Sequence, residues 1–167
     1  SYLYLHNHKE YNPHLDIDIN CKGTIALLEA CRKFNPKARI LFGSTFFVNG
    51  NLESLPATPD SPCHPMGLYG VTRLAGEHFC HVYHKVFGLN PVIARFTNVY
   101  GPFEQGDNNK KAGFNFMINQ ALQGEELKLY QDGNFIRDYI YVDDVVRACR
   151  ILADKGETDK TYYVGRG

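Results

Sequence analysis

Two short apolar runs constrain this chain most. They are ARILFGS, Ala38 to Ser44, and PVIARF, Pro91 to Phe96. Each has strand length and little polar alternation, so each needs cover on both faces, as strands inside a parallel sheet do. Parallel neighbours also need a long crossover, usually a helix. The chain supplies one between them. From Gly67 to Phe87, Val71, Ala75, Val82 and Val86 recur at helical spacing, and Gly88 suits the C-terminal cap. Another helical stripe precedes the first run: Ile17, Cys21, Thr24, Leu28 and Cys31 over residues 16 to 35, stopped by Asn35-Pro36.

The rest of the chain continues the alternation. Pro56, Pro59, Pro62 and Pro65 make residues 50 to 66 an extended surface segment. A helix is expected over about 112 to 123, ended by Gly124. LKLY, then Asp132-Gly133, then FIRDYIYV reads as a strand, a tight turn and a strand. Asp143 is expected to cap a last helix to about Asp154. The chain opens on a strand-like YLYL and closes on a strand-like TYYVGRG, so both ends are expected to be internal to a longer protein. The pattern predicts an α/β fold with a parallel sheet.

Composition narrows the function classes. With 44% hydrophobic and 22% charged residues, the chain has the profile of a globular protein. Its 18 basic and 18 acidic residues cancel, which gives no electrostatic basis for nucleic acid or an anionic membrane. No apolar run reaches a membrane-spanning length. No basic, apolar leader opens the chain. The five cysteines are scattered without a C-x-x-C pair, which suits reduced thiols in a cytoplasmic protein.

Chemistry-bearing residues cluster where the strands are expected to end. Ser44 and Thr45 follow the first apolar run, and ligands of open α/β sheets bind at the carboxyl ends of strands. The bland alternative is a hydroxyl pair bonded to its own backbone. LYGVTR then places Tyr69 and Arg73 four apart at the start of a helix. Taken alone, such a pair is more often a stacked surface contact than a site. ARFTNVYGP ends the second run in polar residues, and DGNFIRDYIYVDDV places Arg137 within the expected hairpin. Asn20-x-x-Gly23-Thr24 lies in the first helix.

In this order and spacing these five pieces, with V-N-G at Val48 to Gly50 as a sixth, resemble the extended short-chain dehydrogenase/reductase family, in particular its NAD-dependent nucleotide-sugar epimerases and dehydratases. The resemblance runs over nearly the whole chain. It implies a Rossmann-like doubly wound parallel sheet, of which this chain would hold the C-terminal part, with part of a smaller α/β substrate domain. Residues 1–100 would belong to the NAD-binding domain without its first βαβ units. Residues 101–167 would belong to the nucleotide-sugar-binding region, interleaved with that sheet.

The resemblance also implies roles. Tyr69 would transfer the proton and, with Arg73, Ser44, His6 and Asn20, lie at the cofactor. Thr45 would bond the sugar hydroxyl and the tyrosine. Asn98 would contact the phosphates or the sugar. Arg137 would pair with the pyrophosphate, where a fork of donors suits phosphate geometry. The implied cofactor is NAD rather than NADP. The implied partners are a nucleotide sugar and a second copy of the chain, docked through the helix at 67 to 87, where Phe79 and Tyr83 offer aromatic surface. A phenol has an ordinary pKa near 10 and needs a nearby cation to act as a base at neutral pH.

This chain departs from the family pattern in four places. Arg73 stands where the family has lysine; it keeps the charge and changes the donor geometry. Asn49 stands in V-N-G where V-Y-G is commoner, with less consequence expected. Phe46 and Phe47 follow Thr45 where the family's dehydratases carry acids, which favours a 4-epimerase or ketoreductase over a 4,6-dehydratase. No G-x-G-x-x-G or G-x-x-G-x-x-G occurs, so the pyrophosphate-binding loop is missing. The expected activity is epimerisation at C4 of a nucleotide sugar through a 4-keto intermediate. A dehydratase, a ketoreductase and a non-catalytic binder of the same fold stay open. His78, His81 and His84 with Cys80 recur along one helix, but their drift around it predicts a solvated or subunit-facing surface rather than a metal site.

Overall fold

The computed structural model describes residues 12–52, 54–104, 113–127, 133–134 and 136–167. YLYL, His6 and residues 128–130 of the expected LKLY arm lie outside them. Helix α1 (Pro13–Asp16) starts at Asn12, whose side chain accepts from the His14 amide. It continues as a π-helical segment, Ile17–Lys22, and then as α2, Gly23–Phe34. Strand β1 (Arg39–Thr45) leads through a 3₁₀ turn, Phe46–Val48, into the proline-rich segment. Then come α3 (Leu68–Phe87), β2 (Asn90–Phe96) and β3 (Asn98–Tyr100). They are followed by α4 (Gly113–Leu122), β4 (Tyr139–Tyr141), α5 (Val142–Lys155) and β5 (Thr161–Val164).

β1, β2 and β5 form one parallel sheet in the order β1-β2-β5. The register pairs Arg39 with Asn90 through Thr45 with Phe96, and Ile93 with Thr161 through Phe96 with Val164. The carboxyl ends of all three strands therefore lie side by side. Both faces of β2 are covered, which is why PVIARF alternates so little. On one face Leu28, Ile40, Cys80, Leu89 and Ile93 pack with Cys31, Phe42, Phe79 and Tyr83 from α2, β1 and α3. On the other, Val92, Ala94, Ile140, Leu152 and Val164 pack with Val145 and Ala148 of α5. The result is three layers, with α2 and α3 on one side and α5 on the other. β3 and β4 pair in parallel as a second, two-stranded sheet.

The structure changes four local expectations. First, the helical stripe begins at Asn20 rather than Ile17, which is 39% exposed. The π segment inserts an extra residue into the turn and so rotates what precedes it away from the core. The Gly23 amide accordingly reaches back five residues to the Asp18 carbonyl. Second, Val71, Val82 and Val86 face outward, and the buried face of α3 is Gly70, Thr72, Gly76, Glu77 and Cys80. The small residues let α3 lie close on β1: a Cβ on Gly76 would sit 2.4 Å from Phe42 Cζ. Third, Asp143 lies in the first turn of α5, and Tyr141 is the N-cap. Fourth, β4 is only three residues long and Arg137 precedes it; its ladder among the described residues is the parallel one with β3.

The helix ends behave as their sequences require. Gly88, at φ 70°, closes α3 with its amide on the His84 and Tyr83 carbonyls. Gly50, at φ 67°, turns the chain after the 3₁₀ turn, and a Cβ there would fall 2.0 Å from the His64 carbonyl oxygen.

Candidate functional site

The site is built where β1 ends and α3 begins. Thr45 is the last residue of β1 and is 6% exposed. Its hydroxyl oxygen accepts the Phe47 amide at 3.3 Å, which caps the 3₁₀ turn. Tyr69 lies in the first turn of α3 and is half-buried. The Phe47 ring meets it edge-on at 6.3 Å between centroids, and Phe46 stacks on Phe47 at 4.3 Å. The two aromatic residues after Thr45 thus form an apolar wall beside the phenol. The hydrogen bond between Thr45 and Tyr69 that the resemblance implies is not made.

Arg73 follows Tyr69 by one turn, and its guanidinium is turned toward the protein rather than the phenol. Its Nη1 donates to Asn20 Oδ1 at 3.4 Å, and its guanidinium carbon lies 4.8 Å from the centre of the Phe42 ring. Its Nε is buried with no partner among the described residues. Asn20 is 8% exposed and donates from Nδ2 to Thr72 Oγ1 at 3.1 Å. Thr24 in turn donates to the Asn20 carbonyl at 2.6 Å. The N-x-x-G-T sequence is therefore a brace: a π turn that drives an asparagine into the α2–α3 joint and orients Arg73. Lysine has no planar face to lie on Phe42 and could not fill this place in the same way.

Ser44 points inward. It is 4% exposed and its hydroxyl donates to Glu77 Oε1 of α3. Glu77 is 2% exposed, and Arg95 of β2 donates to both its oxygens, from Nε at 3.0 Å and Nη2 at 2.8 Å. Arg95 Nη1 reaches the Tyr163 hydroxyl at 3.1 Å, Nη2 also contacts Cys63 Sγ at 3.2 Å, and Tyr163 donates to Asn49 Oδ1. Asn49 Nδ2 closes the network on the Pro62 carbonyl at 3.0 Å. Burial opposes the Arg95 charge. The bonds to Glu77 and Tyr163 outweigh it and hold the guanidinium protonated above the ordinary arginine value. The sequence reading missed Glu77, Arg95 and Tyr163. The signal lay in their positions: two formal charges within otherwise apolar stretches, one per element.

The second group of expected residues lies across the strand ends. Asn98 donates from Nδ2 to the Asp138 carbonyl at 2.9 Å, and its amide donates to the same oxygen at 3.1 Å. It thereby ties β3 to the segment that carries Arg137, which is half-buried. Beside them Val99, Tyr100, Gly101, Pro102, Glu104 and Val142 line a surface pocket of about 240 Å³. Burial raises the Glu104 carboxyl above its ordinary value. The helical histidines are engaged elsewhere: His81 Nδ1 pairs with Asp159 at 2.5 Å and His84 Nδ1 with the Leu89 carbonyl at 2.7 Å. No group of three metal-ligating side chains forms among the described residues.

Of the residues expected at the cofactor, Tyr69 is half-buried at the start of α3, whereas Ser44 and Asn20 are buried and bonded within the protein. Tyr69 and the ends of β1 and β2 form a strand-end ledge, with the Arg73 charge behind it. Nothing in the sequence supplies a glycine cradle for the pyrophosphate.

Comparison with known proteins agrees with this geometry. The family model described as "NAD dependent epimerase/dehydratase family" matches residues 6–165. A putative UDP-glucose 4-epimerase of Methanocaldococcus jannaschii is 35% identical over 138 residues, covering 82% of this chain and 45% of that protein. UDP-glucuronate 4-epimerase 1 of Arabidopsis thaliana is 36% identical over 142 residues, covering 83% of this chain and 32% of its own. Among solved structures, the UDP-glucuronic acid 4-epimerase of Bacillus cereus in complex with NAD superposes with a TM-score of 0.79 at 34% identity, covering 89% of this chain and 47% of that one. The UDP-N-acetylglucosamine 4-epimerase of Methanobrevibacter ruminantium M1 gives a TM-score of 0.88 at 26% identity, over 93% of this chain and 50% of that one. The chain thus spans half or less of the length of these relatives. Strand-end chemistry, the Tyr69–Arg73 turn and the matched span agree on one conclusion: this chain belongs to the NAD dependent epimerase/dehydratase family.

Proposed function

We propose that the protein containing this chain interconverts nucleotide sugars at C4, with Tyr69 as the proton acceptor and donor. The observation that carries this reading is the packing of the turn that follows Thr45 on the Tyr69-x-x-x-Arg73 start of α3, where the Phe47 ring meets Tyr69 edge-on at 6.3 Å. NAD, when bound, would accept the hydride from the sugar alcohol and return it to the resulting ketone. Tyr69 would take the hydroxyl proton, and Thr45 would orient that hydroxyl with the hydrogen it does not use on Phe47. Arg73 would supply positive charge that favours the phenolate. The Phe46–Phe47 wall has no group able to remove a ring proton, which supports epimerisation over dehydration. Asn98, Arg137 and the adjoining pocket would take the phosphates and nucleotide. On this reading residues 1–100 serve the cofactor and 101–167 the nucleotide sugar. The contribution of β5 to the β1–β2 sheet supports an interleaved arrangement.

A homodimer belongs to the same proposal. Val71, Val82 and Val86 are 46%, 51% and 64% exposed along α3, and Leu27 of the neighbouring α2 is 57% exposed. Apolar residues exposed on two adjacent helices suit burial against its own copy. These residues take the place of Phe79 and Tyr83, which pack into the core.

Steady-state assays of the full-length protein with NAD and with UDP-glucose, UDP-glucuronate and UDP-N-acetylglucosamine test the reading. Turnover of at least one sugar is expected, with Tyr69→Phe lowering kcat by about 10²-fold or more. Activity that survives Tyr69→Phe would remove the tyrosine from the mechanism. The second reading, a non-catalytic nucleotide-sugar binder, draws on the buried Arg73 Nε and the hold of Asn20 on the guanidinium. It expects tight sugar binding without turnover.

A further inference from the structure

We infer that Glu77 is a positioning residue for the strand end that carries Thr45, acting through Ser44; this rests on the enzymatic reading above. Tyr69, Arg73 and Glu77 are spaced four apart and lie along one side of α3. Glu77 makes the one side-chain hydrogen bond between α3 and β1 among the described residues, and its partner is the residue directly before Thr45. Consecutive Cα atoms are about 3.8 Å apart, so holding Ser44 on α3 fixes how far Thr45 stands from the helix turn bearing Tyr69.

The tether is itself held. Arg95 clamps both oxygens of Glu77 and brings in β2, Tyr163 brings in β5, and Asn49 brings in the turn that follows Phe46–Val48. One carboxylate thus fixes the ends of three strands and the turn bearing the Phe46–Phe47 wall relative to one helix. A buried ion pair contributes little net stability compared with apolar residues of the same volume. What this one supplies is register: a carboxylate that cannot rotate, presenting one oxygen to Ser44. Asn49 then has a reason to stand where it does. Its amide accepts from Tyr163 and donates to Pro62 at once, which a phenol could not do with the same reach.

The test uses the full-length protein with NAD and the nucleotide sugar it turns over fastest. Ser44→Ala removes the tether and leaves the Glu77–Arg95 pair intact. Misplacing a reacting group by about 1 Å can cost about 10²-fold in rate. Ser44→Ala is therefore expected to lower kcat by about 10- to 100-fold, with KM within about twofold of wild type and a midpoint lowered by about 3–12 °C through the lost bond to a buried carboxylate. Ser44→Thr, which keeps the donor on a strand that accepts β-branching, should return kcat to within about threefold. An equal loss of kcat in Leu152→Ala, which lowers the midpoint from the other core without touching the tether, would mean a merely structural role and overturn the inference. So would an unchanged kcat in Ser44→Ala with an active wild type. A wild type inactive on every nucleotide sugar tried would overturn the proposed function and this inference with it.

Discussion

Replacing Arg95 by methionine should destabilise the protein more than any surface charge change, and the structure sets the size. Arg95 and Glu77 have side chains only 5% and 2% exposed. Without the guanidinium, the Glu77 carboxylate keeps only the Ser44 hydroxyl among its present partners. Tyr163 loses a donor, and Cys63 loses its one charged neighbour in hydrogen-bond range among the described residues. Removing one member of a buried pair costs about 3–5 kcal/mol, because a charge is left uncompensated. For a chain of this size about 1 kcal/mol moves Tm by about 2–4 °C, so the midpoint should fall by about 6–20 °C. Scanning calorimetry and urea denaturation both measure it. The decisive variant is the double one, Glu77→Met with Arg95→Met. It removes both charges, and should recover about 2 kcal/mol or more relative to the sum of the two single changes. Additive losses would show that the two side chains do not act as a pair. A cost below about 1 kcal/mol for Arg95→Met would show that water reaches the carboxylate, and that the interior described around Ser44 is wrong.

Other consequences can be measured on the same protein. Burial, with the Glu77 charge adding to it, pushes the Cys80 thiol up to about 12 from an ordinary value near 9. Cys80 should resist alkylation at pH 8 while Cys63 reacts. Because the folded state holds that proton and the unfolded state releases it, stability should fall as pH rises from about 9 toward 12, and Cys80→Ala should flatten that slope. Gly50→Ala should cost about 2 kcal/mol or more in urea denaturation, since a left-handed residue gains a Cβ that meets the His64 carbonyl. Val82→Glu with Val86→Glu on the full-length protein should shift sedimentation toward the monomer without lowering the midpoint of the monomer itself. An unchanged oligomer would exclude that face of α3 as the contact.

The elements were legible because their signals were local. Gly88 and Gly124 closed α3 and α4 where their freedom to take positive φ was needed, and the uninterrupted apolar character of PVIARF foretold a strand covered on both faces. The facing of α3 was not legible. Apolar periodicity reports that a helix has a greasy side, not whether the core or another surface covers it. Here the fully buried positions are glycine, threonine, glutamate and cysteine, and at Gly76 the Phe42 ring of β1 leaves no room for a side chain. The same closeness hid the centre of the site. Glu77 and Arg95 read as ordinary charges until the sheet brought them together, eighteen residues apart in sequence and 2.8 Å apart in space. Asn49, expected to matter little, is 2% exposed and holds two partners. The orientation of Arg73 depended on the Phe42 ring and on a π turn, and no spacing rule reports either.

That π turn has a consequence for how the chain could change length. It is one residue more than an α-helix needs, taken up between Asp16 and Gly23. A deletion of Ile19 would let the two flanking helices fuse into a single regular rod. Everything from Gly23 onward could keep its seat, and so could the segment before the deletion, because the bulge already absorbs the one residue removed. Asn12 and its cap would keep their neighbours, while Asn20 would lose the bulge that presses it against Thr72. In this short stretch a single codon sets whether Asn20 reaches the α2–α3 joint, and with it whether Arg73 keeps its acceptor.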